Sequence, residues 1–295
     1  MFAIVGSGFG LYGYLPAVAQ GSDEGVLLPE AYREKVRARR ELDPWLGRIR
    51  WVADERAALA AASTVIVATP PARQVETVRA ALAQPGVLRL VLEKPVAPDP
   101  LEADRLLDEI ERSGRRYRVG YTFLQTEWGA RLAWPRGVGT VDITWTFMAH
   151  HFAHGRRNWK RTHATGGGAM RFFGIHFFGL LARAGYESVR SSRLEEGDPG
   201  EPERWEAVFA GAGLPQCRLR VDSRNPRSVF RIEGVEPIVD LEYPYSVEPA
   251  AAEQDRRVGV LRRFLASFDE PDAEHAALCR RANVLWREAE AAAAR

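Results

Sequence analysis

Cysteine is nearly missing from this chain of 295 residues: there are two, Cys217 and Cys279. They lie far apart, lack the spacing of a metal site and can form at most one bridge. Two ordinary thiols in a cytoplasmic protein is the expected reading. No apolar run reaches 18 residues, so no membrane span is expected. The first apolar run ends after four residues with no basic stretch before it, unlike a signal peptide. A charge excess is lacking too. The 41 basic and 39 acidic residues leave a formal net charge of +2, which argues against an electrostatic nucleic-acid binder. With 46% hydrophobic and 27% charged residues, the composition is that of a soluble globular protein, long enough for two domains.

The chain is organised around its first seventeen residues. Residues 2–5 form a short apolar run, as in a buried parallel strand, which breaks into Gly6, Gly8 and Gly10 before a helix-compatible stretch. A strand turning through glycines into a helix brings backbone N–H groups and a helix N-terminus against a pyrophosphate. Gly6 allows the tight turn and Gly8 the close approach; the full pattern wants a third glycine at position 11, where this chain has Leu11. Residues 25–28 read as a second strand ending at Pro29. Glu30 then stands where a dinucleotide fold places the carboxylate that bonds the adenosine ribose, which favours NAD. Arg33, Lys35, Arg37, Arg39 and Arg40 follow closely, and an arginine there can hold a 2′-phosphate instead; a solvated helix face is the plainer reading of that run. Cofactor choice stays open between NAD and NADP.

Further strands are expected at 64–68, 87–92 and 116–121, with helices at 57–62, 74–83 and 101–113 between them. Strand alternating with helix means a parallel sheet with right-handed crossovers. Ligands of such sheets sit beyond the carboxyl ends of the strands. Gly6 to Gly10, Thr69, Pro70, Glu93, Lys94 and Tyr121 all fall at such ends, so they are the candidate cofactor and substrate residues. After residue 120 the rhythm changes. Strand-like runs at 138–149, 204–210, 216–221, 228–232 and 237–241, with short turns, are those of an antiparallel sheet. A helix over 166–181, opened by three glycines, lies among them, and helices over 256–268 and 272–294 finish the chain. The expected division is a dinucleotide-binding Rossmann domain over 1–120 and a substrate-binding α+β domain over 121–295.

Two side chains suit proton transfer. Lys94 precedes a proline that keeps it out of helical geometry, so it projects from a strand end and can donate to a substrate oxygen; a surface lysine is the plain alternative. His176 shares a helix face with Phe172, Gly179 and Leu180, and is either a core histidine or a general acid–base group. His150, His151, His154 and His163 are clustered without cysteines or carboxylates, and metal binding is not expected. Arg156, Arg157, Trp159 and Lys160 read better as a loop for an anionic or hydroxyl-rich substrate.

Together these motifs resemble the Gfo/Idh/MocA family of nicotinamide-dependent oxidoreductases. The resemblance rests on Gly6 to Gly10 with Leu15, Pro16 and Ala17; on Ala68, Thr69, Pro70 and Pro71; on Glu93, Lys94 and Pro95; and on Val119, Gly120 and Tyr121. It continues through Asn158, Trp159 and Lys160 to Gly166, Gly167 and Gly168, then Gly174, Ile175 and His176. The family implies hydride transfer between NAD(H) or NADP(H) and a carbonyl or carbinol carbon, most often on a sugar-like metabolite. Lys94 and His176 would be its catalytic residues; Gly6, Gly8, Phe9, Gly10, Glu30, Arg33, Thr69, Pro70, Glu93 and Lys94 would bind cofactor; Tyr121, Trp159, Lys160, Arg171 and Phe172 would meet substrate. It also implies a homodimer or homotetramer through the second-domain sheet. Phe172 stands where the family usually has an aspartate, and Gly179 where a second is common. That departure points to a flatter or less hydroxylated substrate. Reduction of a C=N or conjugated double bond is one alternative; a non-catalytic dinucleotide-binding sensor or scaffold is another.

Overall fold

The computed structural model describes residues 1–250 and 254–293, so the last residue of the helix expected over 272–294 lies outside the described residues. The chain clusters into two units that interleave along the sequence. The first comprises Met1–Val96, Arg105–Thr122 and Glu248–His275; the second comprises Ala97–Asp104, Phe123–Val247 and Ala276–Arg295. A single cut after residue 120 therefore follows the change of rhythm, whereas the chain itself returns to the first unit at Glu248.

In the first unit six strands run parallel: β1 (Phe2–Val5), β2 (Val26–Pro29), β3 (Ile49–Val52), β4 (Thr64–Val67), β5 (Arg89–Leu92) and β6 (Arg116–Val119). Their order, β3-β2-β1-β4-β5-β6, is that of a doubly wound dinucleotide fold. Both faces of β1 are covered, which is why Ala3, Ile4 and Val5 can all be apolar and fully buried. The helix Leu15–Gly21 packs its Leu15 and Val18 with Val258, Leu261 and Phe264 of the helix Arg257–Ala266, a late segment that completes this core. Asp54 caps the helix Glu55–Ala61 through Ala57 N–H at 2.7 Å, and Pro71 opens the helix Pro71–Leu82, where a missing N–H costs nothing. Strand β3 has no counterpart in the sequence reading. It is a four-residue edge strand whose Arg50 is exposed, and edge strands carry polar residues that erase the apolar run.

The returning segment is tied down by Arg118, a fully buried cation in β6. Its guanidinium donates to the Ser267 carbonyl at 3.0 and 2.8 Å, to the Glu270 carbonyl at 2.8 Å and to Asp272 at 2.7 Å. The face of the guanidinium lies 4.8 Å from the Phe268 ring centroid. Arginine can satisfy several acceptors at once because its donors form a planar fork.

The second unit is built on a mixed sheet. Its strands are β7 (Thr140–Met148), β8 (Ser188–Asp198), β9 (Glu201–Ala210), β10 (Gln216–Asp222), β11 (Arg224–Glu233) and β12 (Val239–Leu241), ordered β12-β11-β7-β10-β9-β8. Only β7 and β10 run parallel; the other neighbours are antiparallel. β8 also escaped the sequence reading, because Arg190, Arg193, Glu195 and Glu196 give this edge strand no alternation. One face of the sheet, with Trp145, Trp205, Phe209, Leu219 and Phe230, is buried beneath the helix Ile175–Ala184, whose Phe178 meets Trp205 at 5.2 Å. The other face carries cross-strand ion pairs, Asp142 with Arg218 at 2.8 Å and Arg231 with Asp240 at 2.7 Å. Cys217 and Cys279 are both buried free thiols, and burial pushes the Cys217 thiol up.

Replacing Arg118 with alanine removes the donors that the Ser267 and Glu270 carbonyls and Asp272 receive from a buried cation. A loss of about 3–5 kcal/mol in urea unfolding is expected, with Arg118→Lys recovering only part of it. A variant as stable as the parent would show that the returning segment is held by its apolar contacts alone.

Candidate active site

The site begins with the register of the parallel sheet. Val5, Val67, Leu92 and Val119 are successive cross-strand partners, so Gly6, Ala68, Glu93 and Gly120 line up as the next residues at the carboxyl edge. Gly6 has φ +133°, and a Cβ on it would lie 2.2 Å from the Ala68 carbonyl oxygen, so only glycine lets the turn lie against β4. Its N–H donates to the Tyr32 hydroxyl at 3.1 Å, which itself donates to Glu55 at 2.9 Å; burial pushes the Tyr32 phenol up to about 12. The missing third glycine is made good one residue early. A Cβ on Gly10 would sit 2.9 Å from Ile4 Cγ2, the close helix–strand packing that position 11 normally supplies. A π-helical turn over Gly10–Tyr14 takes up the altered spacing, and Leu11 is fully buried beneath it.

Two observations bear on whether a dinucleotide fits. The Cβ direction of Gly8 is empty to 4 Å, leaving its backbone open to a close ligand, and Gly8 is exposed. The Thr69 hydroxyl, at the carboxyl end of β4, is buried with no hydrogen-bond partner. An open backbone at the helix start and an unsatisfied hydroxyl at the β1/β4 switch point fit a pyrophosphate group. Phe9, inside the turn, lies under the Arg257 guanidinium at 4.2 Å, and Arg257 is held bidentately by Asp255. Sequence reasoning missed Arg257 because it comes from a segment some 250 residues downstream.

Glu30 follows directly after β2, as expected for a ribose carboxylate. Arg33 grips it with two bonds of 2.7 Å, and that guanidinium holds the carboxyl below its ordinary range. Arg33 also lies over Trp51 at 4.3 Å, and Lys35 reaches Ser7 of the glycine turn at 2.7 Å. Arg33 thus meets Glu30 itself, and Lys35 meets the turn.

The Glu93, Lys94 and Pro95 segment follows β5, with a cis peptide between Lys94 and Pro95. Gln74, fully buried on the helix Pro71–Leu82, clamps it. Its amide donates to the carbonyls of Glu93, Pro95 and Val96 at 2.7, 3.0 and 3.0 Å and accepts from Glu93 N–H at 3.0 Å. Glu93 takes a 2.6 Å hydrogen bond from the buried Tyr14 hydroxyl. Burial pushes its carboxyl up, against the opposing pull of the Lys94 ammonium and the Tyr14 bond. Gln74 and Tyr14 carried no signal in the sequence beyond their positions on helices that follow glycine- and proline-rich turns. Pro70 is exposed ahead of its helix, and Tyr121 is buried.

In the second unit His176 is 6% exposed and lies flat on Phe123, with ring centroids 4.3 Å apart and planes at 11°. The expected helix over 166–181 begins as a π-helical turn, Ala169–Gly174, before the α-helix. Phe172, in that turn, meets Trp159 at 5.3 Å and Phe173 at 4.7 Å, with the Lys160 ammonium 5.2 Å above its ring. Arg171 is bound into the scaffold: it donates to Glu290 at 2.6 Å and to the carbonyls of Pro98 and His163 at 2.8 and 3.0 Å. Glu290 also bonds His163 at 3.0 Å and Trp286 Nε1 at 2.9 Å. Among the described residues no cluster of histidine, cysteine or carboxylate could hold a metal ion, and no helix is long and apolar enough to cross a membrane.

Residues 1–121 match the family model GFO_IDH_MocA, the oxidoreductase family with an NAD-binding Rossmann fold. Over these residues, fewer than half of the chain, the sequence is similar to this NAD-binding oxidoreductase family. Solved structures extend the likeness of fold to nearly the whole chain. The WlbA dehydrogenase from Bordetella pertussis, in complex with NADH and UDP-GlcNAcA, aligns with a TM-score of 0.69 at 16% identity, over 98% of this chain and 95% of its own. WlbA (WbpB) from Thermus thermophilus, with NAD and UDP-GlcNAcA, aligns at 0.64 and 20% identity, over 96% and 93%. The UDP-N-acetylglucosamine 3-dehydrogenase GnnA from Acidithiobacillus ferrooxidans aligns at 0.65 and 16% identity, over 98% and 97%. No curated protein matches the sequence.

The Glu290 cluster sets an acid limit on stability. Burial alone would push this carboxyl up, but the bonds from His163 and Arg171 outweigh it and hold it down at about 2. A carboxyl depressed in the folded state gives stability that is present above its unfolded value of 4.5 and lost as pH falls from there towards 2. The stake is roughly 3 kcal/mol. Urea unfolding at pH 7 and pH 3 measures it: Glu290→Gln is expected to weaken the protein at pH 7 and flatten the decline. An unchanged slope would remove Glu290 from the acid response.

Proposed function

We propose that the protein reduces a carbonyl carbon of a small metabolite, or oxidises the matching carbinol, using NAD(H) rather than NADP(H). The observation that carries this reading is Lys94, at the carboxyl end of β5 in a segment held by four hydrogen bonds between the Gln74 amide and Glu93, Pro95 and Val96. Gly6, Gly8, Gly10 and Thr69 would hold the cofactor's pyrophosphate and Glu30 its ribose. When bound, the cofactor supplies or takes up a hydride at its nicotinamide. The chain's own part is the proton. Lys94 has an ammonium that can hydrogen-bond a substrate oxygen, and His176 has an imidazole whose ordinary pKa lies near neutral pH. Tyr121, Trp159, Lys160 and Phe172 are the proposed substrate contacts; Arg171 is assigned to the scaffold through Glu290 and Pro98.

The preference for NAD(H) follows from charge. Glu30 is kept ionised by Arg33, and a fixed carboxylate accepts from a ribose 2′-hydroxyl but repels a 2′-phosphate. A second reading, a nucleotide-sugar substrate, is favoured by what WlbA and GnnA are named for; Phe172 in place of a carboxylate weighs against it. Reduction of a C=N bond needs the same hydride and proton and stays open on the same residues. Self-association through the second sheet would meet a face of ion pairs, so such a contact would be polar.

Nicotinamide fluorescence tests the cofactor. NADH is expected to bind more tightly than NADPH, and Glu30→Ala to weaken NADH by about tenfold while improving NADPH. Unchanged affinities would take Glu30 out of the ribose site. For the proton, Lys94→Met and His176→Phe separate the two groups. The true donor's loss is expected to cut kcat by about 10²–10⁴ and leave NADH affinity nearly constant. Cofactor binding with no turnover on any carbonyl or imine would favour the sensor reading instead.

A further inference from the structure

A band of aromatic rings runs through the second unit from His176 outward. His176 lies on Phe123, which meets Trp145 at 5.6 Å; Trp145 stacks on Phe147 at 4.6 Å. Phe147 meets Phe173 at 4.7 Å, Phe173 meets Phe172 at 4.7 Å, and Phe172 meets Trp159 at 5.3 Å. The inner rings are buried, whereas Phe147, Phe172, Phe173 and Trp159 keep part of their surface in contact with solvent. Partly exposed aromatic rings in contact with one another form a π surface that water covers poorly.

Two polar groups beside this band have no hydrogen-bond partner although their side chains are more than nine-tenths buried. Trp145 Nε1 belongs to a ring 5.7 Å from Phe173, and His151 Nε2 to a ring 6.0 Å from it. Unsatisfied buried groups next to an aromatic surface are a frequent mark of a ligand site. Basic side chains lie in the same stretch. Between His150 and Arg161 the sequence holds Arg156, Arg157, Lys160 and Arg161; Arg157 and Arg161 are paired with Asp198 and Glu201, so Arg156 and Lys160 are the candidate cations for a ligand. Burial first, then Lys160, Arg161 and His150, push His151 down to about 4.

We propose that this band binds a planar, conjugated acid: a ring or extended π system stacked on Phe172 and Phe173, with its anionic group towards Lys160 and Arg156. Phe172 is then the specificity residue, because an aromatic ring in the place of a carboxylate accepts π surface and rejects a polyol whose hydroxyls it cannot pair. Calling the ligand a substrate rests on the oxidoreductase reading above; its binding does not, and is measured without turnover.

The test is calorimetric titration of the full-length protein with 2-naphthoate, neutral 2-naphthamide, glucuronate and UDP-glucuronate. Naphthoate is expected to bind about tenfold more tightly than glucuronate and several-fold more tightly than the amide, with the advantage over the amide shrinking in high salt. Phe172→Leu and Lys160→Met should each weaken naphthoate, the second without altering the amide; thermal melting confirms that both variants are folded. Glucuronate binding as tightly as naphthoate, or naphthoate indifferent to both substitutions, overturns the proposal. UDP-glucuronate binding more tightly than naphthoate overturns it in favour of a nucleotide sugar. An NADH titration of the same preparation separates the readings: NADH without naphthoate sinks this inference alone, and naphthoate without NADH sinks the proposed cofactor chemistry alone.

Discussion

The close approach of Gly6 to Ala68 is the constraint on which the first unit depends. A side chain at Gly6 would sit inside contact distance of the Ala68 carbonyl, so β1 and β4 can end together only if that position has none. With those ends fixed, parallel register carries the alignment outward to Glu93 and Gly120. The carboxyl edge is therefore a single platform: a shift of one strand would displace every chemically useful group that follows it. Gly10 serves the same purpose from the other side by letting the helix lie against Ile4.

Two buried polar side chains that build the first unit, Gln74 and Arg118, are fully engaged, and the Thr69 hydroxyl at the carboxyl edge is not. Gln74 uses its amide on three carbonyls and one N–H around Lys94, and Arg118 pairs with carbonyls of the returning segment. Removing either partner of such a pair costs more than the pair contributes, because what is left behind is a dry, unpaired group. The Thr69 hydroxyl is one such group with no partner among the described residues, and it stands at the switch point where a parallel sheet takes its ligand.

Much of this was legible in the sequence because β1, β2, β4 and β5 are short, apolar and punctuated by glycine or proline. The edge strands β3 and β8 were not, since exposed edges carry arginine and glutamate that destroy both the apolar run and the alternation. The antiparallel rhythm of the second unit also concealed the parallel β7–β10 pair: local pattern fixes that a segment is a strand, while its neighbour is chosen by contacts distant in sequence. Lys94 and the glycines could be found from motif and position alone. Gln74, Tyr14 and Arg257 act through geometry, and no spacing announces them.

The ion pairs within each unit explain why net charge says so little about a ligand. Arg33 is answered by Glu30, Arg171 by Glu290, Arg161 by Glu201 and Asp198, each within the same unit. Such pairs orient groups and contribute little field at a distance, because each cation's potential is cancelled within a few ångströms. The stretch around His150, Arg156 and Lys160 carries no acid in its sequence, and its histidines are lowered, His150 chiefly by His154 and His151 chiefly by burial. In the proposed reading, Arg156 and Lys160 beside a partly exposed aromatic surface would select for ligands that are both flat and anionic, a combination neither feature would select alone. Phe172 lies at the junction of the two, with Trp159 against its ring and the Lys160 ammonium above it. In the proposed reading, Phe172, where the family usually has an aspartate, is the residue placed to turn a common fold towards a different substrate.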